Sequence, residues 1–122
     1  MVSSTTSALD QLQNSVFAGS GQKFASIDQG SATTTEVVAA ATGYRIRILA
    51  AVFTGVGSSI TVALKSASTQ LTGEIAGATA LNVILPYNPA GWVQTEAGEA
   101  FQITSTNGAI NGCVVYDEVA AA

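Results

Sequence analysis

The sequence predicts an all-β chain, an antiparallel β-sandwich or jelly roll carrying an N-terminal arm with one short helix. Three observations carry that reading. From residue 22 onward apolar residues recur at alternate positions in short runs, the period of a half-buried strand. Turn-forming clusters separate the runs: Gly55-Val56-Gly57-Ser58, Gly73, Gly77, Asn88-Pro89-Ala90-Gly91, Ala97-Gly98 and Asn107-Gly108. At 122 residues the chain fits one domain and buries about two thirds of its unfolded surface, enough for one core without metal or disulfides. Many short strands with regular turns and no fixed-period repeat describe a two-layer β fold.

Residues 1–21 form the expected arm. Met1 to Ser7 is mostly Ser and Thr, with nothing to pack. Ser7 and Asp10 have capping-box-like spacing, and Leu9, Leu12 and Val16 follow at helical intervals. This predicts a helix over about residues 8–14, too short to stand alone and in need of a neighbour to cover its leucines. Gly19-Ser20-Gly21 then breaks the chain, and residues 22–122 form the sandwich domain.

Lys23 to Ile27 and Thr33 to Ala40 read as the first strands. The long strand Tyr44 to Phe53 has its even positions on one continuous apolar face. Its odd positions begin with Arg45 and Arg47 and end with Leu49, Ala51 and Phe53, so the second face is wet at one end and dry at the other. The dry end predicts cover from another sheet, the arm or another subunit. Leu49 and Phe53 therefore join Leu9, Leu12, Val16 and Phe17 as candidate interface residues. Alternation continues through Ile60–Val62–Leu64, Leu81–Val83–Leu85, Phe101–Ile103 and Val114–Tyr116, giving eight or nine strands.

Composition bounds the function. Charged residues make up 10% of the chain and hydrophobic residues 48%, with no histidine, against roughly a quarter charged in ordinary domains. The outside is either an uncharged Ser/Thr/Asn/Gln/Gly coat or is buried against other protein. Lys23, Arg45, Arg47 and Lys65 are too few and too scattered to track phosphates, so no nucleic-acid partner is expected. The first twenty residues lack a secretory pattern, and Arg45, Arg47, Lys65 and Glu74 interrupt every apolar stretch long before membrane length. The expectation is a chain made in a cytoplasm and not anchored to lipid.

The residue types leave little room for catalysis. Without histidine, Ser-His and Cys-His pairs and most zinc or iron sites are excluded, and a single cysteine excludes thiolate clusters. No glycine-rich phosphate loop opens a helix, and Asp10 and Asp28 make no calcium pattern. No catalytic residues, metal or cofactor are expected, and no enzyme. Cys113, in the run Cys113-Val114-Val115, reads as a buried small hydrophobe rather than a reactive thiol. Glu96 and Glu99 read as a solvated turn rather than a glycosidase pair. Asp117 and Glu118 point to opposite faces. Arg45 and Arg47 share a face and are expected to pair with carboxylates of a neighbouring strand or subunit. Tyr87 and Trp92 bracket the Asn88–Gly91 turn; they read as packing residues, with a sugar-stacking platform as the alternative.

The segments Ile84-Leu85-Pro86-Tyr87-Asn88-Pro89-Ala90-Gly91-Trp92, Thr95-Glu96-Ala97-Gly98-Glu99-Ala100-Phe101 and Gly112-Cys113-Val114-Val115-Tyr116-Asp117-Glu118-Val119 resemble a group of small tailed-phage virion proteins. Gly43-Tyr44-Arg45-Ile46-Arg47-Ile48-Leu49 is similar to an upstream strand of the same group. The resemblance spans residues 33–119. It implies a jelly-roll cement or decoration protein on the outside of a bacteriophage head, a homotrimer bound to the major capsid protein, with the arm contacting the capsid or a neighbouring subunit. The alternative is a binding module, either a head- or tail-fibre domain or a carbohydrate-binding β-sandwich.

Overall fold

Alternate burial of side chains drives the described residues, 21–121 of the computed structural model, into strands that pair in two antiparallel sheets. In chain order they are β1 (Lys23–Asp28), β2 (Thr34–Val38), β3 (Tyr44–Val56), β4 (Ile60–Ser66), β5 (Thr69–Gln70), β6 (Ile75–Gly77), β7 (Ala80–Leu85), β8 (Val93–Gln94), β9 (Phe101–Thr106) and β10 (Ile110–Ala120). Sheet I has the order β1-β10-β3-β7, with β8 pairing the same edge of β3 as it continues past β7. Sheet II has the order β2-β9-β4-β5, with β6 also on β4. First strand pairs with last and second with second-last, the nested connectivity of a jelly roll. The expected short helix, and residues 1–20 of the expected arm, lie outside the described residues.

Between the sheets, Ile27, Ile46, Ile48, Phe53, Ile110 and Val114 meet Ile60, Val62, Leu64, Phe101 and Ile103 in one apolar cluster. Burying each such side chain contributes about 1.5–3 kcal/mol. The expected alternations in β4, β7, β9 and β10 hold: Ile60, Val62, Leu64, Leu81, Phe101, Ile103 and Val114 all face inward.

The long strand behaves differently. Along the β3–β10 ladder Val115 sits opposite Ala50 and Tyr116 opposite Ile48, so Leu49 is an extra residue with no partner of its own. A β-bulge of this kind shifts every later side chain to the other face. Ile46 and Ile48 point inward before the bulge, Ala51 and Phe53 after it, and Val52 turns outward. The even positions therefore do not form one continuous face. Leu49 and Phe53, expected at an interface, are each 1% exposed and buried within the chain itself. Phe53 belongs to the core cluster. The backbone carbonyl of Leu49 accepts a hydrogen bond from the Asn88 amide (2.8 Å), and that of Ile48 from the Trp92 amide (2.8 Å). The loop between β7 and β8 thus closes over the bulge and satisfies the backbone where the ladder breaks.

One buried side chain ties the two sheets together. Gln29, just past β1, donates from Nε2 to the Thr33 carbonyl and Thr35 Oγ1, both at 3.1 Å. Its Oε1 accepts from Ser105 Oγ (2.6 Å) and the Ile110 amide (2.9 Å). Among the described residues no buried side-chain nitrogen or oxygen lacks a partner, as a stable interior requires.

Candidate interaction surface

The outward positions of sheet I can be read across the strands from their register. Phe24, Val115 and Ala50 form one row, and Ser26, Cys113, Val52 and Ile84 the next. Phe24 is 79% exposed, Ile84 73% and Val52 43%. On one side lies a polar row, Asp28, Asn111, Thr54 and Asn82. On the other, past the bulge, Arg47 donates through Nε to Asp117 Oδ1 (3.0 Å) and through Nη2 to Oδ2 (2.6 Å). This two-pronged bond, followed by the neighbouring carboxylate charge, holds the Arg47 guanidinium above its ordinary pKa against partial burial. The apolar rows are therefore a band framed by polar groups.

Within the band an open hollow of ≈ 220 Å³ is lined by Ala50, Val52, Ile84, Tyr87, Cys113 and Val115, among others. The β7–β8 loop forms its wall. Tyr87 Oη accepts from Gln22 Nε2 (2.6 Å), and Trp92 Nε1 donates to the Pro86 carbonyl (2.8 Å). Asn88 Oδ1 accepts from the Ala90 amide (3.0 Å), an Asx turn that folds the loop tip. Gly91 has φ +88°, and a Cβ there would lie 2.4 Å from Arg47 Cγ. Glycine alone lets the loop lie down on the arginine stem.

Sheet II presents another surface. Its outward rows are Thr34–Thr104–Ala63, Glu36–Gln102–Lys65 and Thr106–Thr61. Thr34 and Thr104 hydroxyls bond across the strands at 2.8 Å, and Thr61 bonds Thr106. The threonine rows are the uncharged hydroxyl coat that composition allows, flanked on one side by the row that carries Glu36 and Lys65.

Of the residues singled out from sequence, Leu9, Leu12, Val16 and Phe17 lie outside the described residues. Tyr87 and Trp92 are 51% and 44% exposed on one loop, with their polar atoms bonded within the chain; Tyr87 lines the hollow. Cys113 is exposed, not buried: in β10 the inward position belongs to Val114, so its neighbour faces out. Arg45 pairs with Glu96 (3.3 Å), and Glu99 accepts from Ser66 Oγ (2.5 Å), so these two carboxylates serve separate partners. Asp117 bonds Arg47 while Glu118 bonds Lys23, each from its own face. Sequence reasoning missed Phe24, Val52 and Ile84 as a group, because only the register brings them side by side. The available signal was the apolar residue out of phase in each strand: Phe24 beside Ala25 and Ile27, and Ile84 between Val83 and Leu85.

No protein-family model matches the chain, and no curated protein matches it. Among solved structures, it is similar to the cryo-EM structure of giant freshwater prawn Macrobrachium rosenbergii extra small virus (XSV) VLP. That likeness is 14% in sequence identity, covers 79% of this chain and 77% of that chain, and has a TM-score of 0.36.

Proposed function

We propose that this chain is a structural component of a virus particle, a decoration or cement protein seated on the outside of a tailed-phage head. It acts as a homotrimer on the major capsid protein, is made in the host cytoplasm and ends on the virion surface, and performs no chemistry. The observation that carries this reading is the framed apolar band of sheet I, on a chain with only 10% charged residues. Exposed apolar patches rimmed by polar groups mark protein contact surfaces. The resemblance of residues 33–119 to small virion proteins supplies the kind of partner. Because a jelly roll hosts many functions, the fold alone argues for none of them.

Physically, such a protein clamps neighbouring shell subunits. Burying on the order of 1,000 Å² of apolar surface is worth about 25 kcal/mol before the costs of association are subtracted. The packaged genome pushes the shell outward, and a layer bound across its seams raises the cost of separating them. The test is to image particles assembled in cells that make this chain with its own shell protein. Density for the sandwich on the outer surface, with sheet I facing the shell, is expected. Particles that purify without the chain, or carry it only on the tail, overturn the reading.

A further inference from the structure

Sheet I ends in two strands whose outer edges pair with no strand among the described residues, β1 on one side and β7 on the other. Each is six residues long, whereas the edges of sheet II are strands of five, two and three residues. Short or charged edges discourage added strands. β7 has neither defence, since Ala80–Leu85 holds no charged residue and no proline. On β1 the ammonium of Lys23 is held by Glu118 of its own chain. The loop after β7 turns back to β3, where the Asn88 amide bonds the Leu49 carbonyl, rather than running along the edge.

The ladder behind each edge fixes which backbone groups it leaves free. The Gln29 amide bonds the Ile110 carbonyl, and the Gly57 amide bonds the Thr79 carbonyl. Bonded and non-bonded pairs alternate along an antiparallel ladder, so the odd-numbered residues of β1 and β7 bond within sheet I. Phe24, Ser26, Asn82 and Ile84 therefore aim their N–H and C=O groups out of the two edges, with their side chains on the outer face. Set side by side in two copies, β1 and β7 run antiparallel, because the strands of sheet I alternate in direction. Matching all six residues places Phe24 opposite Ile84, Ser26 opposite Asn82, Ala25 opposite Val83 and Ile27 opposite Leu81. Outward residues then meet outward ones, inward residues meet inward ones, and the free backbone groups meet as bonded pairs. Pairing either strand with its own copy over its full length fails on parity. Phe24 then meets Ile27, or Asn82 meets Val83, an outward side chain opposite an inward one.

We propose that the partner of these edges is a second copy of this chain: β1 of one copy adds to β7 of the next, and sheet I continues from copy to copy. Phe24 and Ile84, both largely exposed in the single chain, form the apolar centre of the contact. It is a head-to-tail contact, so copies join in series. It goes beyond the proposed function, because it uses the edges of sheet I and leaves its outer face to the shell.

Sedimentation velocity on the full chain at micromolar concentration is expected to show an oligomer. Ser26→Pro and Asn82→Pro are each expected to lose it, falling to the mass of one chain. Each substitution removes an N–H that points out of the edge, so the bonds to β10 and β3 are kept. Mixed in equal amounts, the two variants are expected to form two-chain complexes and nothing larger. The intact β7 of the first accepts the intact β1 of the second. Circular dichroism verifies the sandwich; where a proline unfolds it, Phe24→Glu and Ile84→Glu take its place with the same expectations. A parent that sediments as a single chain overturns the proposal, as does an oligomer that survives both substitutions. Single-chain variants that fail to combine on mixing also overturn it, since a head-to-tail contact must complement. None of these outcomes bears on whether the protein is found on particles, so the two readings fail separately.

Discussion

Outside sheet II, Thr34 meets Thr104 and Thr61 meets Thr106 in hydroxyl pairs, whereas outside sheet I Phe24, Val52 and Ile84 stand exposed. Both sheets supply the same kind of inner face, isoleucine, valine, leucine and phenylalanine in alternation. The contrast is therefore confined to the outward positions, where the core makes no demand. A β-branched residue suits a strand whether it is Val or Thr, so fold formation does not choose between these surfaces. Threonine is used where water is the neighbour. Valine, isoleucine and phenylalanine stand outward on sheet I, where the proposed function puts another protein surface, which is the argument for proposing sheet I as the functional side.

The sharpest break within this contrast falls between two adjacent residues, Val52 outward and Phe53 inward. Phe53→Ala removes a core ring that is 1% exposed, and it is expected to cost about 3–5 kcal/mol in urea denaturation. A cost below about 1 kcal/mol would return Phe53 to the surface and abolish the bulge as the explanation of β3.

Exchanging the character of the two outer faces tests their roles with a smaller effect on stability. Val52→Thr with Ile84→Thr makes sheet I resemble sheet II, and is expected to change folding stability by no more than about 1 kcal/mol. Retention on purified particles, measured by co-sedimentation, is expected to fall. The mirror variant, Thr34→Val with Thr104→Val, is expected to leave retention unchanged. Loss from both variants, or from neither, removes the distinction between the faces.

Much of the inner face was legible in sequence, because alternation of residues such as Ile60, Val62 and Leu64 directly encodes which side is buried. Turns at Asn88–Gly91, Ala97-Gly98 and Asn107-Gly108 were legible for the same local reason. The outer face was not. In Ile48-Leu49-Ala50-Ala51-Val52-Phe53 every residue is apolar, so a one-residue bulge leaves no mark on composition while reversing the parity. That reversal turned Phe53 inward and Val52 outward. Cys113 was misplaced for a related reason: three apolar neighbours in a row do not state which of them faces the core. Gln29 was invisible because its partners Thr35, Ser105 and Ile110 come from three other strands.

Charge sharpens the comparison once more, with the smallest expected effect. The three ion pairs among the described residues, Lys23–Glu118, Arg45–Glu96 and Arg47–Asp117, all involve the end of sheet I beyond the bulge. The hydrogen bond to Glu118, reinforced by that carboxylate's charge, raises the Lys23 pKa above its ordinary 10.5. A lysine whose folded pKa is raised stabilises the fold fully below its unfolded pKa and loses that contribution as pH rises through the folded value. The urea midpoint of the parent chain is therefore expected to decline above pH 10.5 more steeply than that of Lys23→Met. Every residue other than Lys23 is common to both proteins, so the difference between the two curves isolates the pair. Exposed pairs contribute little, and the difference is expected to be small and to shrink with added salt. Parallel curves would show that Lys23 and Glu118 do not hold the β1 edge together in solution.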